Sequence, residues 1–167
     1  LGESLADFDY AEKQRCLLRH HIGVWDVYRS CLREGALDSA IRYATERKAF
    51  GEPIANFQLI QAMLADSEAE LYAAECMIAD ACARADRGEI ILRKAAAAKL
   101  FASETCGRVV DRCVQVFGGA GYLAEYPAER FFRDARILRI YEGTSQIHQL
   151  NIGKRLLHNA RNAAVTR

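Results

Sequence analysis

The sequence predicts an all-α protein, an up-and-down helical bundle of long antiparallel helices with short helices added. Three observations carry this. Apolar residues recur three, four or seven positions apart over long stretches, the spacing of one helix face. Only two prolines interrupt 167 residues, which leaves long stretches free to be helical. Glycine-containing breaks fall at 51–53, 87–89 and 118–121, and no strand pattern competes between them.

The elements follow in order. Residues 1–12, with Gly2, Ser4 and several acids, read as the tail of a linker. From Lys13 to Phe50 the pattern is helical: Val24, Tyr28 and Cys31 share one face, and Leu37, Ile41 and Ala44 share another. The stripe changes phase at Arg33-Glu34-Gly35, so an irregular turn or kink is expected there. Gly51-Glu52-Pro53 ends this helix. The second helix spans Phe57 to Arg87, with Phe57, Ile60, Leu64, Leu71, Ala74, Ile78 and Cys82 forming a bundle-type seam. After a turn at Arg87-Gly88-Glu89, the third spans Ile90 to Phe117. Its run Ala95 to Ala98 has high helix propensity, and Cys106, Val110, Cys113 and Phe117 form its buried stripe. A short helix is expected from Pro127 to Ile137, with Pro127 in its first turn. The last begins near Thr144 and runs to His158, with Ile147, Leu150 and Lys154 at helical spacing.

Composition narrows the function classes. The chain is one domain by length, residues 1–167, with 51% hydrophobic and 27% charged residues. A net charge of +1 gives no field that points to nucleic acid or an anionic membrane. No run approaches the length of a membrane span, and the first residues show no signal-peptide pattern. The six cysteines, Cys16, Cys31, Cys76, Cys82, Cys106 and Cys113, include no C-x-x-C pair and all fall in predicted helices. They are expected as buried free thiols in a reducing compartment. His20 and His21 are adjacent and face different directions, and no Glu is followed three residues later by His, so no metal site is expected. His148 is expected at the surface or at an interface.

The chemistry concentrates in residues 139–148. Glu142 sits just before a helix N-terminus that Thr144 or Ser145 can cap. A carboxylate beside exposed backbone donors can act as a base next to an oxyanion site; it can also merely complement the helix dipole. Arg47, at the end of the first helix, reads as dipole compensation or as a fork aimed at a phosphate. Gln58 and Gln61 open the second helix as surface residues. Gln115 to Tyr122 contains glycines that allow left-handed turns and close backbone approach to a ligand, without a dinucleotide-binding fingerprint. Tyr126 to Arg130 and Arg133 to Arg136 read as a charged helix face.

Together these segments resemble the C-terminal helical domain of the acyl-CoA dehydrogenases. The matching pieces are 42–51 (RYATERKAFG), 58–61 (QLIQ), 115–122 (QVFGGAGY), 125–127 (EYP), 132–135 (FRDA) and 140–147 (IYEGTSQI), in the family's order and at about its spacing. The resemblance implies a flavoenzyme of three domains, helical, β-barrel-like and helical, of which this chain matches the last. It implies FAD bound between subunits. Arg47 would contact the pyrophosphate of a neighbouring subunit's FAD, with Phe50 and Gln58 nearby. Gln115, Val116, Phe117, Gly118 and Gly119 would line the adenine end. Thr144, Ser145 and Gln146 would contact the FAD of their own subunit. Glu142 would be the catalytic base, removing a proton α to a thioester carbonyl while a β-hydride passes to the flavin. Tyr141 and Gly143 would flank the substrate. Arg19 fits an arginine near the active site, although the interval from Arg19 to Ala36-Leu37-Asp38 is longer than the family's.

The implied partners are an acyl-CoA or other acyl thioester, an electron-transfer flavoprotein or other acceptor, and further copies of the chain in a dimer or tetramer. The implied location is the bacterial cytoplasm or the mitochondrial matrix. An acyl-CoA oxidase-type relative, an enzyme acting on carrier-protein thioesters, and a non-catalytic helical assembly module remain open alternatives.

Overall fold

The computed structural model describes residues 32–165. It is an all-α bundle: α1 (Asp38–Glu46), α2 (Gln58–Asp86), α3 (Leu92–Phe117), α4 (Pro127–Ala135) and α5 (Ser145–Val165). The predicted helix before Leu32, with Val24, Tyr28, Cys31 and Arg19, lies outside the described residues. At the expected phase change, Leu32–Leu37 forms a π-helical turn that leads into α1.

α1 stops at Glu46, earlier than predicted, and the Arg47 N–H closes it on the Tyr43 carbonyl. Beyond Arg47 the chain forms a two-residue antiparallel ladder, Lys48–Ala49 against Glu52–Pro53, where no strand was expected. Its turn residues Phe50 and Gly51 have φ of 54° and 91°, the left-handed pair that a tight hairpin demands. A hairpin this short leaves no periodic trace in sequence.

α2 and α3 have 29 and 26 residues and run antiparallel. Their ion pairs fix the direction: Lys94 reaches Asp80 at 3.1 Å, whereas Arg112, farther along α3, reaches Glu70, nearer the start of α2, at 3.0 Å. The predicted α2 seam faces inward, with Leu71 and Ala74 buried and Phe57, Ile60, Leu64, Ile78 and Cys82 half-buried. The predicted α3 stripe, Cys106, Val110, Cys113 and Phe117, is buried throughout.

α3 is the central element, and every other helix packs on it. Small residues let them approach: Ala96, Ala98, Ala102 and Ser103 are all buried. α3 ends at Gly118, and in the next turn a Cβ at Gly121 would lie 2.7 Å from the Val114 carbonyl, so only glycine fits. α4 begins at Pro127 as expected, and its exposed Arg133–Glu129 pair spans one turn at 3.2 Å. The structure corrects two burial expectations. Cys76 is exposed, because it lies off the α2 seam, and His148 is buried at 6% exposure under the loop that precedes α5.

Candidate functional site

The predicted site residues fall into two groups at opposite parts of α3. The first surrounds Arg47. A cleft of about 380 Å³ is lined by Tyr43, Arg47, Val116, Phe117, Gly118 and Gly119, among others. The Phe117 ring stacks on Tyr43 with centroids 4.1 Å apart and gives the cleft an aromatic wall. Val116 is buried, whereas Gln115, Gly118 and Gly119 are exposed. Arg47 is exposed and has no ion-pair partner among the described residues. Phe50 is 98% exposed and sits edge-on to Phe57, with ring centroids 6.2 Å apart, beside exposed Gln58 at the start of α2.

The second group is the loop into α5. Glu142 is exposed, with φ of 54°, and Gly143 follows at φ of 93°. Among the described residues, Phe50 and Glu142 alone hold positive φ without being glycine. Each costs roughly 1–3 kcal/mol, and such strain gathers at functional sites. Thr144 caps α5: its hydroxyl accepts from the Ile147 N–H at 3.3 Å and its carbonyl from the His148 N–H at 3.1 Å. The buried Ser145 does not cap; its hydroxyl donates to Glu104 at 2.6 Å. Gln146 is exposed, and Tyr141 is half-buried.

Residues outside the predicted site hold this loop from beneath. The buried Lys99 ammonium donates to the carbonyls of Leu138 at 2.5 Å and Gly143 at 3.1 Å, and stands 5.8 Å from the Tyr141 ring centre. Burial pulls Lys99 below the ordinary lysine range, against the attraction of Glu142 and Glu104. Arg139 pairs with Glu104 at 2.8 Å, and its guanidinium lies over Gly107, where a Cβ would stand 2.5 Å away. His148 Nε2 lies 3.1 Å from the Glu142 carbonyl. That carbonyl can only accept, so the imidazole carries its proton on Nε2. Burial, then the Lys99 charge, lowers the His148 pKa, while hydrogen bonds with the Glu142 and Gly143 backbone oppose the shift. In sequence Lys99 is simply the cation that follows the run Ala95 to Ala98.

Seventeen helix positions separate Lys99 from Val116, which places the two groups roughly 25 Å apart along α3. No helix among the described residues is long and apolar enough to cross a membrane.

The family pattern described as "Acyl-CoA dehydrogenase, C-terminal domain" matches residues 28–157. The chain is 50% identical over 127 residues to the Probable acyl-CoA dehydrogenase FadE25 of Mycobacterium tuberculosis, covering 75% of this chain and 33% of that protein. It is 46% identical over 124 residues to the Caffeyl-CoA reductase-Etf complex subunit CarC of Acetobacterium woodii, with 74% of this chain and 33% of that one covered. In structure it superposes on butyryl-CoA dehydrogenase from Megasphaera elsdenii with a TM-score of 0.72 and 40% identity, over 74% of this chain and 32% of that chain. The chain thus spans about a third of the length of these relatives. It belongs to the acyl-CoA dehydrogenase family and corresponds to that family's C-terminal helical domain.

Proposed function

We propose that this chain supplies the catalytic base and part of the cofactor site of a flavin-dependent acyl thioester dehydrogenase. The single observation that carries this is Glu142: an exposed carboxylate on a left-handed backbone, just before the N-terminus of α5, in a loop braced from below.

Glu142 takes the proton from the carbon α to the thioester carbonyl as a double bond forms between the α and β carbons. The β-hydrogen leaves with its electron pair. Backbone N–H groups at Glu142 and at the start of α5 favour the negative charge that develops on the carbonyl oxygen. Tyr141 and Gly143 flank the acyl group. FAD, when bound, supplies the two-electron acceptor.

The residues of the Arg47 cleft fit such a cofactor. An exposed guanidinium without an ion-pair partner among the described residues suits a pyrophosphate, and an aromatic wall with bare glycine backbone suits an adenine. Phe50 and Gln58 extend that surface. Thr144 and Gln146 would approach the cofactor from the other group, and Ser145 through its backbone only. The separation of about 25 Å along α3 supports an arrangement in which the Arg47 cleft of one copy and the Glu142 loop of another serve the same cofactor. Exposed Phe50, Leu59 and Tyr122 are consistent with assembly into a dimer or tetramer, or with cover by further domains. The two thirds of each relative that the chain does not match would then hold the flavin ring. The electron acceptor is proposed to be an electron-transfer flavoprotein, by likeness to the Etf-complex subunit. The four described cysteines are free thiols, in keeping with a bacterial cytoplasm or mitochondrial matrix.

The test is anaerobic mixing of acyl-CoA substrates with the flavin-loaded enzyme that contains this chain. Bleaching of the flavin without peroxide formation in air supports a dehydrogenase. Rapid peroxide release identifies an oxidase, and no bleaching with any acyl thioester rejects the function.

A further inference from the structure

Glu142 stands on a loop whose backbone does not favour its own shape. Glu142 and Gly143 are both left-handed, with φ of 54° and 93°, so something outside the loop must hold it. A single side chain reaches both of its ends. Lys99 Nζ donates to the Leu138 carbonyl, where the loop leaves the short 3₁₀ turn Arg136–Arg139, and to the Gly143 carbonyl, just before α5. Lys99 itself is 4% exposed. It lies among buried small residues one turn away on α3, Ala96, Ala102 and Ser103, which leave a trough that the loop can enter. The Tyr141 ring stands over the ammonium at 5.8 Å from its centre and closes the third side.

We propose that Lys99 is the positioning residue of the Glu142 loop. Its ammonium clips together the two ends of the turn and so sets where the carboxylate stands. An ammonium suits the task because it is a compact charge with three donors on a flexible stem, able to serve two carbonyls at once. A buried cation is costly unless its donors are satisfied, and here two backbone carbonyls and the Tyr141 ring satisfy it. His148 and Ser145 support the same loop from α5. The catalytic consequence rests on Glu142 being the base; the clip itself does not.

The test compares the parent with Lys99→Met and Lys99→Arg in two measurements. Amide hydrogen exchange reads the clip. In Lys99→Met, exchange at 139–144 rises about tenfold or more while the α2 amides stay protected, and Lys99→Arg restores part of the protection. Unchanged exchange at 139–144 overturns the proposal. An equal rise across α2 also overturns it, since Lys99 would then stabilise the whole bundle. If Lys99→Met does not fold, Lys99→Gln, which is shorter and uncharged and lacks the third donor, is read by the same criteria. Flavin reduction in the loaded enzyme reads the consequence. Lys99→Met slows it about 10- to 100-fold with little change in substrate affinity, since a displaced base costs rate more than binding. A loss confined to affinity contradicts positioning. Glu142→Gln separates the two readings: if that variant reduces flavin at the parent rate, the base assignment falls, while hydrogen exchange still decides the clip.

Discussion

The buried imidazole of His148 hydrogen-bonds the backbone carbonyl of Glu142 at 3.1 Å, so the first helical turn of α5 grips the residue whose carboxylate faces solvent. Burial and the Lys99 charge hold this imidazole below its ordinary value of 6.5. A histidine with a lowered folded pKa takes up protons more readily when unfolded. Its contribution to stability is therefore present above about 6.5 and is lost as pH falls from there through the lower folded value. The denaturant midpoint of the parent is expected to drop across this window, and that of His148→Gln to drop less. Equal drops would show that His148 does not carry the dependence.

Gly143 is required by conformation and by space. Its φ is 93°, and a Cβ there would lie 3.0 Å from His148 Nε2. Gly143→Ala is expected to destabilise the fold by roughly 1–2 kcal/mol, the left-handed penalty of a residue with a Cβ, with further loss as the imidazole is pushed aside. Chemical denaturation measures it; a change below about 0.5 kcal/mol, the ordinary range of a surface substitution, would mean the loop relaxes freely.

The described cysteines separate by reactivity. Burial pushes the Cys113 thiol up to about 12, and Cys106 is equally enclosed, whereas Cys76 is exposed. The thiolate is the reactive form, so a maleimide at neutral pH should label Cys76 while Cys106 and Cys113 stay protected until the bundle unfolds. Peptide mapping of the labelled protein reads this directly, and early labelling of Cys113 would contradict the packing around α3.

How much of this was legible in the sequence differs by element. The α2 seam and the α3 stripe were readable because an amphipathic helix writes its buried face at fixed spacing. The phase change at Arg33 to Gly35 was readable for the same reason, since a π-turn shifts that spacing. The end of α1 was placed late, because the Phe50-Gly51 hairpin depends on two dihedral angles and not on a pattern. In the candidate site, Glu142 and the Thr144 cap were visible as local chemistry next to a helix start. Lys99, Glu104, Arg139 and His148 were not. Lys99 is buried only because residues 138–143, some forty positions away, fold over it, and nothing within the alanine run announces that contact. His148 reads as a surface or interface residue because its burial comes from the loop beneath which it sits.

Arg47 is proposed to contact a phosphate of the cofactor. Arg47→Ala is expected to weaken FAD binding by about 1.5–3 kcal/mol, the worth of a charge-assisted bond, or roughly 10- to 150-fold in dissociation constant. Arg47→Lys should recover only part, because the planar fork is lost. Titration of the apo enzyme with FAD gives both values, and parent-like affinity in Arg47→Ala would remove the residue from the cofactor site.

The central claim, that Glu142 is the base, is tested most directly by anaerobic stopped-flow reduction of the flavin in Glu142→Gln. The substitution keeps the size and the left-handed backbone position while removing the proton acceptor. Flavin content and assembly should match the parent, and reduction by acyl-CoA should slow roughly 100- to 10,000-fold. Reduction within a few-fold of the parent rate would contradict the assignment and place the base elsewhere.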